Sequence, residues 1–96
     1  MTTREEILTT LRKHKPELQR KYPLSSIELF GSYARNEQNA ESDVDVMVEF
    51  SEPVGIEFVD LLIELEAILG KPVDLITKKS IRPKLRSFIE PDLITV

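Results

Sequence analysis

The chain has 96 residues, 41% hydrophobic and 31% charged, with a formal net charge of −4 and no cysteine. That length carries one modest core, and the cysteine count excludes disulfides, thiol nucleophiles and Cys-type zinc sites. An acidic chain lacks the overall basic footprint of a nucleic-acid binder, and no apolar run is long enough to cross a bilayer. Direct nucleic-acid binding and membrane association are therefore not expected. "MTTREEILTT" carries acidic residues where a signal peptide would carry its apolar segment, so the expected location is the cytoplasm. Residues 1–96 read as a single domain, without repeat, linker or low-complexity segment. His14, the only histidine, lies among charged neighbours in "RKHKPE" and reads as a surface residue. Any chemistry must rest on carboxylates, lysines, arginines, hydroxyls or a bound ion.

In chain order, Thr3-Arg4-Glu5-Glu6 fits a capping box with Thr3 as N-cap. Ile7, Leu8, Leu11, Leu18 and Tyr22 follow at helical spacing. Pro16 is expected to kink or restart this helix, and Pro23 helps to end it. "SSIELF" predicts a strand over Ser26–Phe30. Gly31-Ser32 turns the chain, Tyr33-Ala34-Arg35 starts a short helix, and "NEQNAES" is a polar loop. "DVDVMVEF" predicts a second strand over Asp43–Phe50. In the next helix Val54, Phe58, Leu61, Leu62, Leu65, Ile68 and Leu69 form one stripe. Gly70-Lys71-Pro72 stops it. "VDLIT" predicts a third strand, Val73–Thr77. Ile81, Leu85, Phe88 and Ile89 then share a helix face, with Pro83 near its start. "DLITV" suits a short edge strand. This order suggests an α/β (α+β) fold, a small mixed sheet with helices packed on one face.

The second strand poses the main question, because it places Asp43 and Asp45 in an apolar run where a buried charge is costly unless compensated. Strand side chains alternate, so both aspartates share one face, with Cα atoms roughly 6.5–7 Å apart. Val44, Val46 and Val48 take the core face. A divalent cation would relieve the repulsion, and oxygen ligands suit magnesium. Asp74, again inside an apolar run, joins the pair if the second and third strands are neighbours. Three such carboxylates can hold two ions that clamp the attacking and leaving oxygens of a phosphoryl displacement. Gly31 allows a close backbone approach, a helix start offers N–H groups to an anion, and Ser32 adds a hydroxyl. An isolated Asp-x-Asp is usually surface charge and an isolated Gly-Ser only a turn. Their conjunction, with a third strand aspartate, is far more specific.

"GSYARNEQNAESDVDVMV" resembles the Gly-Ser…Asp-x-Asp signature of the DNA polymerase β-like nucleotidyltransferase superfamily. The layout of the whole chain is similar to its minimal branch, the MNT proteins. "KPVDLIT" matches the place of that branch's third carboxylate, and "IRPKLRSFIE" resembles its closing helix. The resemblance implies the minimal polymerase β-like nucleotidyltransferase fold and a metal-dependent transfer of AMP from ATP. Asp43, Asp45 and Asp74 would be catalytic and would bind Mg2+, two ions in all. Asp74 would also help to activate the acceptor hydroxyl, and Gly31 and Ser32 would bind the β- and γ-phosphates. It also implies a HEPN toxin as partner, with this chain as the antitoxin that attaches AMP to a toxin tyrosine. One departure is Asn36, where the family commonly has glycine; Asn tolerates positive φ, so the turn is expected to persist.

Arg35 is a further candidate for phosphate binding and suits a surface salt bridge equally. Lys78 and Lys79 read as solvated turn lysines or as phosphate contacts. Tyr33 reads as packing at the helix start, with stacking on a base as the alternative. Glu57, Asp60 and Glu64 line one side of the long helix as a solvated face, with docking of a basic partner as the alternative. Two rival functions stand beside AMP transfer to a protein. One is a nucleotidyltransferase for a small hydroxylated acceptor, and the other is a non-catalytic antitoxin that neutralises its partner by binding.

Overall fold

The computed structural model describes residues 2–96. Helix α1 spans Arg4–Lys21. Thr3 caps it as expected, with the Glu6 N–H donating to Thr3 Oγ1 at 3.1 Å, but the Glu6 carboxylate reaches back to the Thr3 hydroxyl, which donates to Oε1 at 3.2 Å, and so completes only half of the expected capping box. Pro16 does not restart the helix, which runs through it as one element. Pro16 and Arg12, whose carbonyl loses its helical donor, are both exposed, so water can replace the missing bond. Ile7, Leu8, Leu11 and Leu18 form its buried stripe.

Strands β1 (Leu24–Phe30), β2 (Val44–Phe50), β3 (Val73–Thr77) and β4 (Ile94–Thr95) make one sheet in the order β3-β2-β1-β4. β1 runs antiparallel to β2 and β4, whereas β2 and β3 are parallel. A parallel pair needs a crossover, which is supplied by helix α3 (Glu57–Leu69). α3 begins later than the apolar stripe suggested, because residues 51–56 form bends and a turn. It ends where expected, with Gly70 in the left-handed region at φ 65°. α1 and α3 cover one face of the sheet. Val44, Val46 and Val48 meet Ile27 and Leu29 there, along with Leu61 and Leu65 from α3.

The opposite face is only partly covered. Short helix α2 (Gly31–Ala34) leaves the end of β1. Helix α4 (Pro83–Ile89) follows a 3-10 turn at Lys78–Ser80. Ile81, Ile89 and Leu93 pack with Phe30, Met47 and Ile76 in a second small cluster. Leu85 and Phe88 do not join it. They are 52% and 78% exposed, contrary to the single apolar face expected for this helix. Only its apolar flanks reach the sheet.

Candidate active site

The partly open face carries the carboxylates. β2 begins at Val44, so Asp43 lies just before the strand and Asp45 within it. Alternation then puts Asp45 on the face opposite Val44 and Val46. The parallel register sets Asp45 directly opposite Asp74 on β3, and the antiparallel register sets it opposite Phe30 on β1. The condition that β2 and β3 be neighbours is therefore met.

Burial, the charge on Asp74 and that on Asp43 push the Asp45 carboxyl up to about 6, opposed only weakly by the Arg35 cation. Such an excess of negative charge suits a cation. Among the described residues, no three His, Asp or Glu side chains close into a ready-made cage for an ion. Magnesium does not need one, since it is commonly held by one or two carboxylates together with substrate phosphates and waters. The donor set fits that mode.

Gly31 joins the two halves of the motif. Its φ is +75°, and a Cβ there would collide with Asp45 Oδ2 and lie 2.8 Å from Asp45 Cγ. Any side chain at 31 would therefore displace the Asp45 carboxylate, besides straining the backbone. The short helix after it is closed by hydrogen bonds from the Arg35 N–H to the Gly31 carbonyl at 3.1 Å and from the Glu37 N–H to the Ser32 carbonyl at 2.8 Å. Asn36 sits at φ 59°, the positive value that its side chain tolerates. Ser32 is half-buried beside Gly31.

Arg35 donates to Asp92 Oδ2 at 2.9 Å and to Glu37 Oε1 at 3.1 Å. Reaching a phosphate would mean exchanging one of those contacts. Tyr33 is fully buried, which removes the base-stacking alternative. Lys78 is only partly solvated. Its ammonium lies 3.0 Å from Glu28 Oε1, at an angle too poor for a hydrogen bond. Glu28 pairs with Met47 across the sheet, so this contact runs from the end of β3 over β2 to β1 on the carboxylate face. Glu28 had no role in the sequence reading, although "SSIELF" carries the same signal as Asp45, a carboxylate inside an apolar strand. Glu64 is not simply solvated either. It accepts from Lys21 Nζ at 2.7 Å and from the Tyr22 hydroxyl at 2.8 Å, tying α1 to α3.

The nucleotidyltransferase domain model matches residues 11–96. A Methanocaldococcus jannaschii protein provisionally named protein adenylyltransferase is 56% identical over the full length of both chains. The protein adenylyltransferase MntA of Thermococcus cleftensis is 39% identical, over 100% of this chain and 98% of its own. Among solved structures, a toxin–antitoxin with AMP-PNP superposes with a TM-score of 0.69 at 26% identity, over 98% of this chain and 72% of that one. A tri-AMPylated Shewanella oneidensis HEPN toxin in complex with MNT antitoxin gives a TM-score of 0.59 at 25% identity, over 96% of this chain and 66% of that one.

Proposed function

This chain belongs to the nucleotidyltransferase domain family, and from that premise we propose that it is a protein adenylyltransferase serving as the antitoxin of a toxin–antitoxin pair. It moves AMP from ATP to a hydroxyl, a tyrosine, of a cognate HEPN toxin. The observation that carries this reading is the meeting of Asp45 with Asp74 across one register and with Gly31 across one van der Waals gap. The carboxylates and the phosphate turn thereby become parts of one site. The names of the relatives and the AMPylated toxin complex support the acceptor class, and the AMP-PNP complex supports the donor.

In the reaction, the acceptor oxygen attacks the α-phosphorus of ATP. The bond to the β-phosphate breaks, pyrophosphate leaves, and the hydroxyl proton passes to a base. Gly31 and Ser32 hold the β- and γ-phosphates through the backbone and the Ser32 hydroxyl, which fixes the leaving group in line. Asp74, exposed on the edge strand β3, takes the proton. Asp43, Asp45 and Asp74 would hold Mg2+, which when bound neutralises the phosphate oxygens and favours the ionised acceptor. Much of the acceleration in such a reaction comes from alignment of the two reactants. The acceptor protein supplies its own half of that alignment.

Incubation of the purified chain with ATP, magnesium and the cognate toxin tests this reading by intact-mass analysis of the toxin. The expected product carries one or more AMP groups, lost when the target tyrosine is replaced by Phe. A neutralised but unmodified toxin would establish the binding-only antitoxin instead. Efficient labelling of a small hydroxylated compound in place of the toxin would establish the small-acceptor enzyme.

A further inference from the structure

The charges of this chain are segregated along its sequence, although Lys78 is paired with Glu28 in the fold. Between Lys78 and Phe88 lie Lys78, Lys79, Arg82, Lys84 and Arg86, and no Asp or Glu. The remaining eight cations are spread among all seventeen carboxylates of the chain. This basic segment contains most of α4, which also presents Leu85 and Phe88, 52% and 78% exposed. Arg82, Lys84, Leu85 and Phe88 line an open depression of about 510 Å³. Two large apolar side chains rimmed by cations are an unusual surface for an acidic protein.

Position gives this surface its meaning. Ile81 and Ile89, at the flanks of α4, pack on Phe30 and Met47. Phe30 is the register partner of Asp45, and Met47 lies two residues further along β2. The depression therefore belongs to the carboxylate side of the sheet. A second exposed apolar stripe, Val59 and Ile63 on α3 with Ile56 just before it, belongs to the other side, because α3 packs on the core face through Leu61 and Leu65. A partner seated on that stripe would face away from Asp45 and Asp74. A partner seated on α4 would sit beside them.

We propose that the outer face of α4, with Leu85 and Phe88 as apolar anchors and Arg82 and Lys84 as a cationic rim, is the docking surface for the acceptor protein, and that the acceptor meets it with an apolar protrusion flanked by carboxylates. This inference rests on the adenylyl-transfer reading and extends it to how the acceptor is recognised. Buried aromatic anchors carry most of the energy of protein interfaces, and rim charges set association rate and salt dependence. An acceptor that carries such carboxylates is repelled by the mainly acidic remainder of the chain and attracted to α4. A nucleic acid would also be attracted by the four cations other than Lys78. It would gain less from Leu85 and Phe88, since only a stacked base would use Phe88.

The test compares AMP transfer to the acceptor by the wild-type chain, by Arg82→Glu/Lys84→Glu and by Leu85→Ala/Phe88→Ala. All four side chains are exposed, so the variants are expected to fold, as circular dichroism would verify. The expected result is a KM for the acceptor raised on the order of tenfold or more in each variant. ATP affinity should be unchanged, and the salt dependence of KM should weaken in the charge-reversal variant. Unchanged KM in both variants, with the wild type active, overturns the docking surface and leaves the transferase reading standing. Failure of the wild type to label any acceptor strikes the transferase reading itself, and the inference falls with it. Tight binding of an RNA oligonucleotide that both variants lose, with acceptor KM intact, would reassign the surface to nucleic acid.

Discussion

Replacement of Asp45 by Asn should stabilise the metal-free protein, and only above a defined pH. The Asp45 carboxyl is raised from 3.8 to about 6 by burial and by the charges of Asp74 and Asp43. A carboxyl whose folded pKa is raised favours folding while protonated. That contribution is complete below about pH 4 and is lost as pH rises through 6. The shift of about 2 units corresponds to a ceiling of ~3 kcal/mol at 1.36 kcal/mol per unit. The group is only half-buried, and screening by solvent reduces this to about 1–2 kcal/mol. Asn keeps the shape and removes the charge. At pH 7.5 in EDTA, Asp45→Asn should melt about 5–10 °C higher than wild type, since roughly 1 kcal/mol shifts a domain of this size by 4–8 °C. At pH 4 the two should coincide. Magnesium should then reverse the order by stabilising wild type by about 2.7 kcal/mol at a hundredfold excess over its dissociation constant, with little effect on the variant. Thermal unfolding followed by circular dichroism between pH 4 and 8 reads all three outcomes. Parallel pH profiles, or a variant less stable than wild type at pH 7.5, would refute the idea that like charges are concentrated at this site.

Ser32→Ala should weaken ATP binding or slow transfer by about 1.5–3 kcal/mol, the worth of one hydrogen bond to a charged group; calorimetric titration with ATP and single-turnover rates check it. Gly31→Ala should impair magnesium and ATP binding together, because its Cβ would collide with Asp45 Oδ2; normal magnesium affinity with only ATP affinity reduced would contradict this. Lys78→Met should destabilise the fold by about 1–2 kcal/mol, because it leaves the buried Glu28 carboxylate without its partly exposed cation. Adding Glu28→Gln should recover most of that loss in urea unfolding.

Much of the fold was legible because its signals are local. The Thr3 N-cap, the Gly70 stop, the Val73–Thr77 strand and the tolerance of Asn36 for positive φ each depend on a few adjacent residues. The partnership of Asp45 with Asp74 was legible only conditionally, since register between β2 and β3 is a property of the assembled sheet. The contact between Gly31 and Asp45 was hidden for the same reason, and the glycine drew attention as a phosphate turn alone. Periodicity placed Leu85 and Phe88 correctly on a helix, but a period does not reveal whether a face has anything to pack against. α4 is seven residues long and lies against the sheet by its flanks, so its middle stays in solvent. Glu28 shows the opposite failure. Its signal was present, but a single carboxylate in a strand invites attention only when a second one stands beside it.

Asp43, Asp45 and Asp74 are proposed to form one transfer site with the Gly31-Ser32 turn. The most direct measurement is AMP incorporation into the toxin by Asp43→Asn/Asp45→Asn, with ATP and magnesium in excess and the fold verified by circular dichroism. Transfer should fall to background in a variant that remains folded. Full transfer by that folded variant would contradict the assignment of the chemistry to these carboxylates.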